Sequence, residues 1–167
     1  MNIKKKEHNL DLYNIILILS RNIFFYNKIN LPDTFETRIY LMFIHFSVIL
    51  IVYKNKGSKL DQKIYDYLFH NIEYNLRESG LGDVSVNKKM KEFNKILYDI
   101  LLKINLENKN LDRFKVNHNL ISKYFSELKD KNGANYLEFD RYFTKFFYFC
   151  YELSLDNMIE SSDKFKF

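Results

Sequence analysis

The chain has 167 residues, of which 47% are hydrophobic and 28% charged, so it can bury a core and is too apolar to stay disordered. Four Gly and one Pro leave long stretches without a breaker, which suits helices and argues against a meandering sheet. One cysteine, Cys150, excludes an internal disulfide framework and suits a reducing compartment, and four scattered histidines (His8, His45, His70, His118) add no tetrahedral zinc set.

The net charge is +5, but only five of the 26 basic residues are Arg (Arg21, Arg38, Arg77, Arg113, Arg141), and they are spread along the chain. Dedicated phosphate readers favour clustered arginine. An AT-rich codon palette, seen in the abundance of Asn, Ile, Phe, Tyr and Lys, accounts for much of the basicity. Nucleic acid is therefore discounted as a partner.

The basic start Met1 to Lys6 imitates a signal peptide. The apolar run behind it, Ile15 to Leu19, has only five residues and is followed by Arg21, so cleavage and export are not expected. A first helix is expected over about Leu10 to Tyr26, with Asn27 to Asn30 as a connector. Pro32 stops any earlier helix, because the residue before a proline is pushed out of the α region.

A second helix is expected to start on a capping box, Asp33 with Glu36, and to carry the apolar run Ile39 to Tyr53. At ~1.5 Å per residue that run falls short of a ~30 Å hydrocarbon core, so a buried central helix is expected. Gly57 suits the left-handed position after it. Ser58 with Asp61 opens a third helix whose apolar residues Leu60, Ile64, Leu68, Ile72 and Leu76 recur at helical spacing.

Ser79-Gly80 ends that helix, and both Gly80 and Gly82 are expected to supply positive φ. The fourth helix has the cleanest period: Val86, Met90, Phe93, Leu97, Ile100 and Ile104 form one stripe. Most of its lysines fall outside that stripe, as on a solvated face. After a polar stretch, Glu107 to Asn110, weaker helical signals run over Asn119 to Leu128. A final aromatic helix is expected from about Asn135 to Leu153. The tail from Ser154 is expected to fray. The expected architecture is all-α, a single-domain bundle of about six helices over residues 1–153.

No motif for catalysis emerges: HExxH, GxSxG, a phosphate-binding loop and a Cys–His pair are all missing. Gly80-Leu81-Gly82-Asp83 follows a helix where a dinucleotide fingerprint would follow a strand, so it reads as a helix stop and a turn. The aromatic load, 16 Phe and 13 Tyr, has two readings of equal standing: exposed patches for a protein or membrane partner, or ordinary core packing.

Three blocks carry a resemblance. The first is Leu31-Pro32-Asp33-Thr34-Phe35-Glu36-Thr37-Arg38 with Leu41-Met42 and His45. The second is Asp66 and Phe69 leading to Glu73-Tyr74-Asn75-Leu76-Arg77-Glu78-Ser79-Gly80-Leu81-Gly82-Asp83. The third is Val86-Asn87-Lys88-Lys89-Met90-Lys91. Together they resemble the ubiquinol–cytochrome c chaperone family over about Phe25 to Leu101. Where that family continues into a Phe-Tyr-Gly-Arg element, this chain reads Leu97-Tyr98-Asp99-Ile100.

The resemblance implies an all-helical, non-catalytic assembly chaperone of the cytochrome bc1 complex, without a cofactor. Its client would be newly made cytochrome b or another bc1 subunit, and in mitochondria the family works with a small partner protein. It marks Asp33, Phe35, Glu36, Arg38, His45, Arg77, Glu78, Asp83, Lys88, Met90 and Lys91 as motif or client-binding residues. The setting implied is cytoplasmic, peripheral on the inner membrane face.

Arg38 and His45 stand seven apart and so share a face of an apolar helix. A buried Arg needs an anionic partner. The expectation is a polar patch where the second and third helices meet, with Arg77, Glu78 and Asp83 nearby, acting as a core clasp or as the rim of a client groove. Two other functional classes stay open: a helical membrane-surface protein, and a non-specific RNA-binding protein.

Overall fold

The computed structural model describes residues 3–108 and 113–167, with side chains from residue 12 onward except residue 106. The basic start up to residue 2, the side chain of His8 and the end of the polar stretch at residues 109–110 lie outside what is described. Among the described residues there is no strand, and seven α-helices follow in order. They are α1 (Ile3–Ser20), α2 (Phe35–Asn55), α3 (Gln62–Glu78), α4 (Asp83–Glu107), α5 (His118–Tyr124), α6 (Ala134–Glu152) and α7 (Leu155–Ser161).

The all-helical expectation holds, and α2 is its axis. Every residue from Leu41 to Ile49 is buried, because α1, α4 and α6 pack around this helix. At 21 residues it is longer than the expected run, and by length and composition it could cross a membrane. Yet 72% of its most apolar window is covered by the rest of the chain, as the buried-helix reading expected.

Local chemistry explains the helix boundaries. The cap of α2 is Thr34, whose hydroxyl accepts from the Thr37 N–H at 3.1 Å, and not Asp33. Glu36 then falls in the first turn, where the helix N-terminus favours a carboxylate. Asp61, and not Ser58, caps α3 by accepting from the Lys63 N–H at 3.0 Å. Gly57 and Gly80 take φ of +71° and +89°, as expected after helices. Gly82 instead sits extended at φ −70° and precedes α4.

Two more expectations are corrected. The first helix stops at Ser20, and the chain re-forms as a π-helical turn, Phe24–Lys28, whose Phe25 is fully buried. The stretch from Ser154, expected to fray, forms α7 and packs along α1. Met158, Ile159 and Phe165 are buried there, and burying each contributes roughly 1.5–3 kcal/mol against leaving it in water.

The aromatic question resolves toward the core. Of α6, Tyr136, Phe139, Tyr142, Phe143, Phe146 and Phe147 are all buried, and only Tyr148 and Tyr151 among its rings are exposed. These rings stack on Phe24, meet Phe25 and Phe165 edge-to-face, and meet Phe125 at a tilt. Such geometry adds about 0.5–1.5 kcal/mol per pair beyond area burial.

Candidate client-binding surface

Part of the motif gathers at one end of the bundle. Glu36 in the first turn of α2 accepts from Lys89 Nζ of α4 at 3.1 Å. Its own backbone N–H, then that ammonium, hold the carboxyl below the usual range. Phe35 packs on Phe93 beneath this pair, with ring centres 6.2 Å apart, and Met90 packs against the same core. Where α3 turns into α4, Arg77 bonds Glu73 at 2.8 Å through Nη2 and Asp83 through Nη1. Glu78, Lys88 and Lys91 are exposed.

Arg38 and His45 do not join this cluster or each other. Arg38 lies near the start of α2 at the edge of the bundle, half-buried, and reaches back to Asp33 at 2.8 Å through Nε. The expected clasp with Arg77, Glu78 and Asp83 does not form, because Arg38 is not enclosed and each arginine has a local carboxylate. His45 is fully buried two turns further on, where α6 covers α2.

The His45 ring is held at both nitrogens. Nδ1 lies 2.7 Å from the Leu41 carbonyl, and Nε2 lies 2.9 Å from the Tyr142 hydroxyl. A carbonyl can only accept, so Nδ1 carries the proton and Nε2 accepts from Tyr142. Phe25, Phe143 and Phe146 enclose the ring edge-to-face. Burial pushes its pKa down to about 3, so it is a neutral core residue. Cys150 is buried too, its thiol pushed up to about 12 by burial. Among the described residues no three His, Cys, Asp or Glu side chains gather to hold a metal ion.

A second feature was not legible in the sequence. A groove of about 470 Å³ runs between the C-terminal half of α2, the start of α3 and α4. Its walls are Leu50, Ile51, Leu60, Tyr65, Tyr98 and Leu101, and Lys54 and Lys59 stand among them. Tyr98, 65% exposed, and Leu102, 58% exposed, stand one turn apart on α4 and extend the apolar surface outward. Beside Tyr98, Asp99 faces the other way. Its carboxylate accepts from Lys103, from Lys123 at 2.8 Å and from Tyr124 at 2.5 Å, which ties α4 to α5. Burial raises its pKa, but those three bonds outweigh burial and hold it well below the usual range.

The sequence pattern of the ubiquinol-cytochrome C chaperone family matches residues 27–120, more than half of the chain. The chain belongs to that family. The matched region reaches beyond the expected 25–101 and takes in α2, α3, α4 and the start of α5. The helices that build both the motif cluster and the groove are thus the ubiquinol-cytochrome C chaperone part of the chain.

The fold has a counterpart in the crystal structure of the Cbp3 homolog from Brucella abortus. The two align with a TM-score of 0.67 over 97% of this chain and 89% of that one, at 20% sequence identity. At that identity the likeness speaks for the fold. No curated protein matches the chain.

Proposed function

We propose that this protein is a non-catalytic assembly chaperone of the cytochrome bc1 complex that binds newly made cytochrome b through the α2–α3–α4 groove. The observation that carries the reading is the family match over residues 27–120, which contains every wall of that groove. An apolar groove flanked by exposed Tyr98 and Leu102 suits an apolar helical segment of a client, held by shape more than by specific hydrogen bonds.

The motif cluster would hold α2 and α4 at the spacing the groove requires. Glu36–Lys89 and Phe35–Phe93 fix one end of that pair of helices, and Lys54, donating to Asn105 at 3.1 Å, links them at the groove. The setting we favour is the cytoplasmic face of the inner membrane, where the exposed lysines Lys88, Lys91 and Lys95 of α4 would meet anionic lipid.

Deletion of the gene tests the reading, scored by the reduced-minus-oxidised spectrum of b-type haem in membranes. The expected result is selective loss of the bc1 signal, restored by the intact gene but not by a Tyr98→Glu variant that folds normally. An unchanged spectrum with normal bc1 turnover would overturn the assembly role. Salt-sensitive flotation with anionic vesicles in the absence of any client would then favour a membrane-surface protein.

A further inference from the structure

Next to the motif cluster, with Phe35 of that cluster among its lining residues, a recess of about 300 Å³ opens between α1, α2 and α3. Its volume equals roughly ten water molecules at ~30 Å³ each, enough for a small charged headgroup and a few methylenes. Two guanidinium groups line it, Arg21 from just beyond α1 and Arg38 from α2. Its floor is apolar: Leu17, Ile39 and Met42, the last two almost fully buried. Asn75 of α3 donates to the Tyr13 hydroxyl at 2.5 Å and closes the polar wall.

The charges do not cancel here. Asp33 engages Nε of Arg38 and leaves both terminal nitrogens of that guanidinium without a carboxylate. Arg21 has no ion-pair partner among the described residues, and it lies within electrostatic reach of both Tyr13 and Tyr26. Two arginines against one aspartate leave one positive charge over an apolar floor. A planar guanidinium fork matches the two-oxygen face of a carboxylate or phosphate.

We propose that this recess binds a small anionic amphiphile, with its carboxylate or phosphate head on Arg21 and Arg38 and the first part of an alkyl arm on Leu17, Ile39 and Met42. The recess shares no wall with the client groove, so the proposal stands apart from the chaperone reading.

Titration calorimetry on the full chain tests it with dodecyl phosphate and laurate, each below its aggregation concentration, beside dodecyl maltoside and inorganic phosphate. The expected result is that one or both anionic amphiphiles bind at least tenfold tighter than the neutral amphiphile and than inorganic phosphate. Whichever of the two binds tighter identifies the head. Arg21→Gln and Arg38→Gln should each weaken that binding about tenfold, and because Arg21 is exposed its replacement does not threaten the fold. Equal binding of dodecyl maltoside, binding of inorganic phosphate as tight as the amphiphiles, or an Arg21→Gln variant that binds like the parent, would each overturn the proposal.

Discussion

The hydroxyl of Tyr142 donates to Nε2 of His45 at 2.9 Å, joining α6 to α2 across 97 residues of sequence. Both partners are fully buried, so the bond lies where an unmade one is most costly. Tyr142→Phe would keep the ring contacts and leave the imidazole nitrogen unsatisfied. The expected cost is about 1–3 kcal/mol in urea unfolding, with an unchanged m-value. A cost near zero would mean that the two side chains do not share a proton in the core.

The same ring makes stability depend on pH. Unfolded, the imidazole takes a proton near pH 6.5, and folded only near 3. Between those values the unfolded state holds up to one proton more than the folded state. Stability from this group is thus fully present above pH 6.5 and falls as pH drops through the window, by at most about 1.4 kcal/mol per pH unit. His45→Leu combined with Tyr142→Phe removes both polar partners and should flatten that slope. Chemical denaturation at pH 7, 6 and 5 compares the two proteins.

Asp99 holds α5 against α4, and its neutralisation should be felt there. Asp99→Asn weakens its bonds to Lys103, Lys123 and Tyr124 together, and the expected cost is about 1 kcal/mol because the two lysines stay largely in water. Amide hydrogen exchange should rise in His118–Tyr124 and hardly at all in α2.

The two candidate caps of α2 separate cleanly. Thr34→Ala removes the acceptor of the Thr37 N–H and should cost about 0.5–2 kcal/mol. Asp33→Ala removes only a partly exposed pair with Arg38 and should cost less than about 1 kcal/mol. Thermal melts of both variants decide the matter, and the reverse order would restore Asp33 as the cap.

The periodic helices were readable because one face meets the core and the other meets water. Val86, Phe93, Leu97, Ile100 and Ile104 are all buried, as their spacing required, and only Met90 of that stripe is partly exposed. Phe24 to Lys28 gave no such signal: the short polar break Ser20-Arg21-Asn22 is also compatible with a continuing helix, and nothing in the residues distinguishes an α turn from a π turn. Thr34 and Asp33 are both competent caps, and the backbone geometry that chooses between them is absent from composition.

The site was legible in parts. Glu36, Phe35 and Met90 do meet the same helix pair, and Arg77 does find Asp83. The seven-residue spacing of Arg38 and His45 placed them on one face of α2, but that face leaves the core at its N-terminal end. A long arginine there turns back to the preceding loop, while His45 meets Tyr142 of α6. No local pattern pairs residues 97 apart, and the groove walls come from three helices whose packing angles no spacing encodes.

The packing of α7 along α1 sets a timetable for the chain's own folding. From Ser20 to Leu155 the ribosome must add 135 residues, which takes on the order of ten seconds at ~5–20 residues per second. Throughout that interval the side of α1 later covered by α7 has no cover from it. A protein of this design is itself a nascent chain with an unshielded helix before it can shield anything else, and its yield should depend on how quickly translation delivers its last helix.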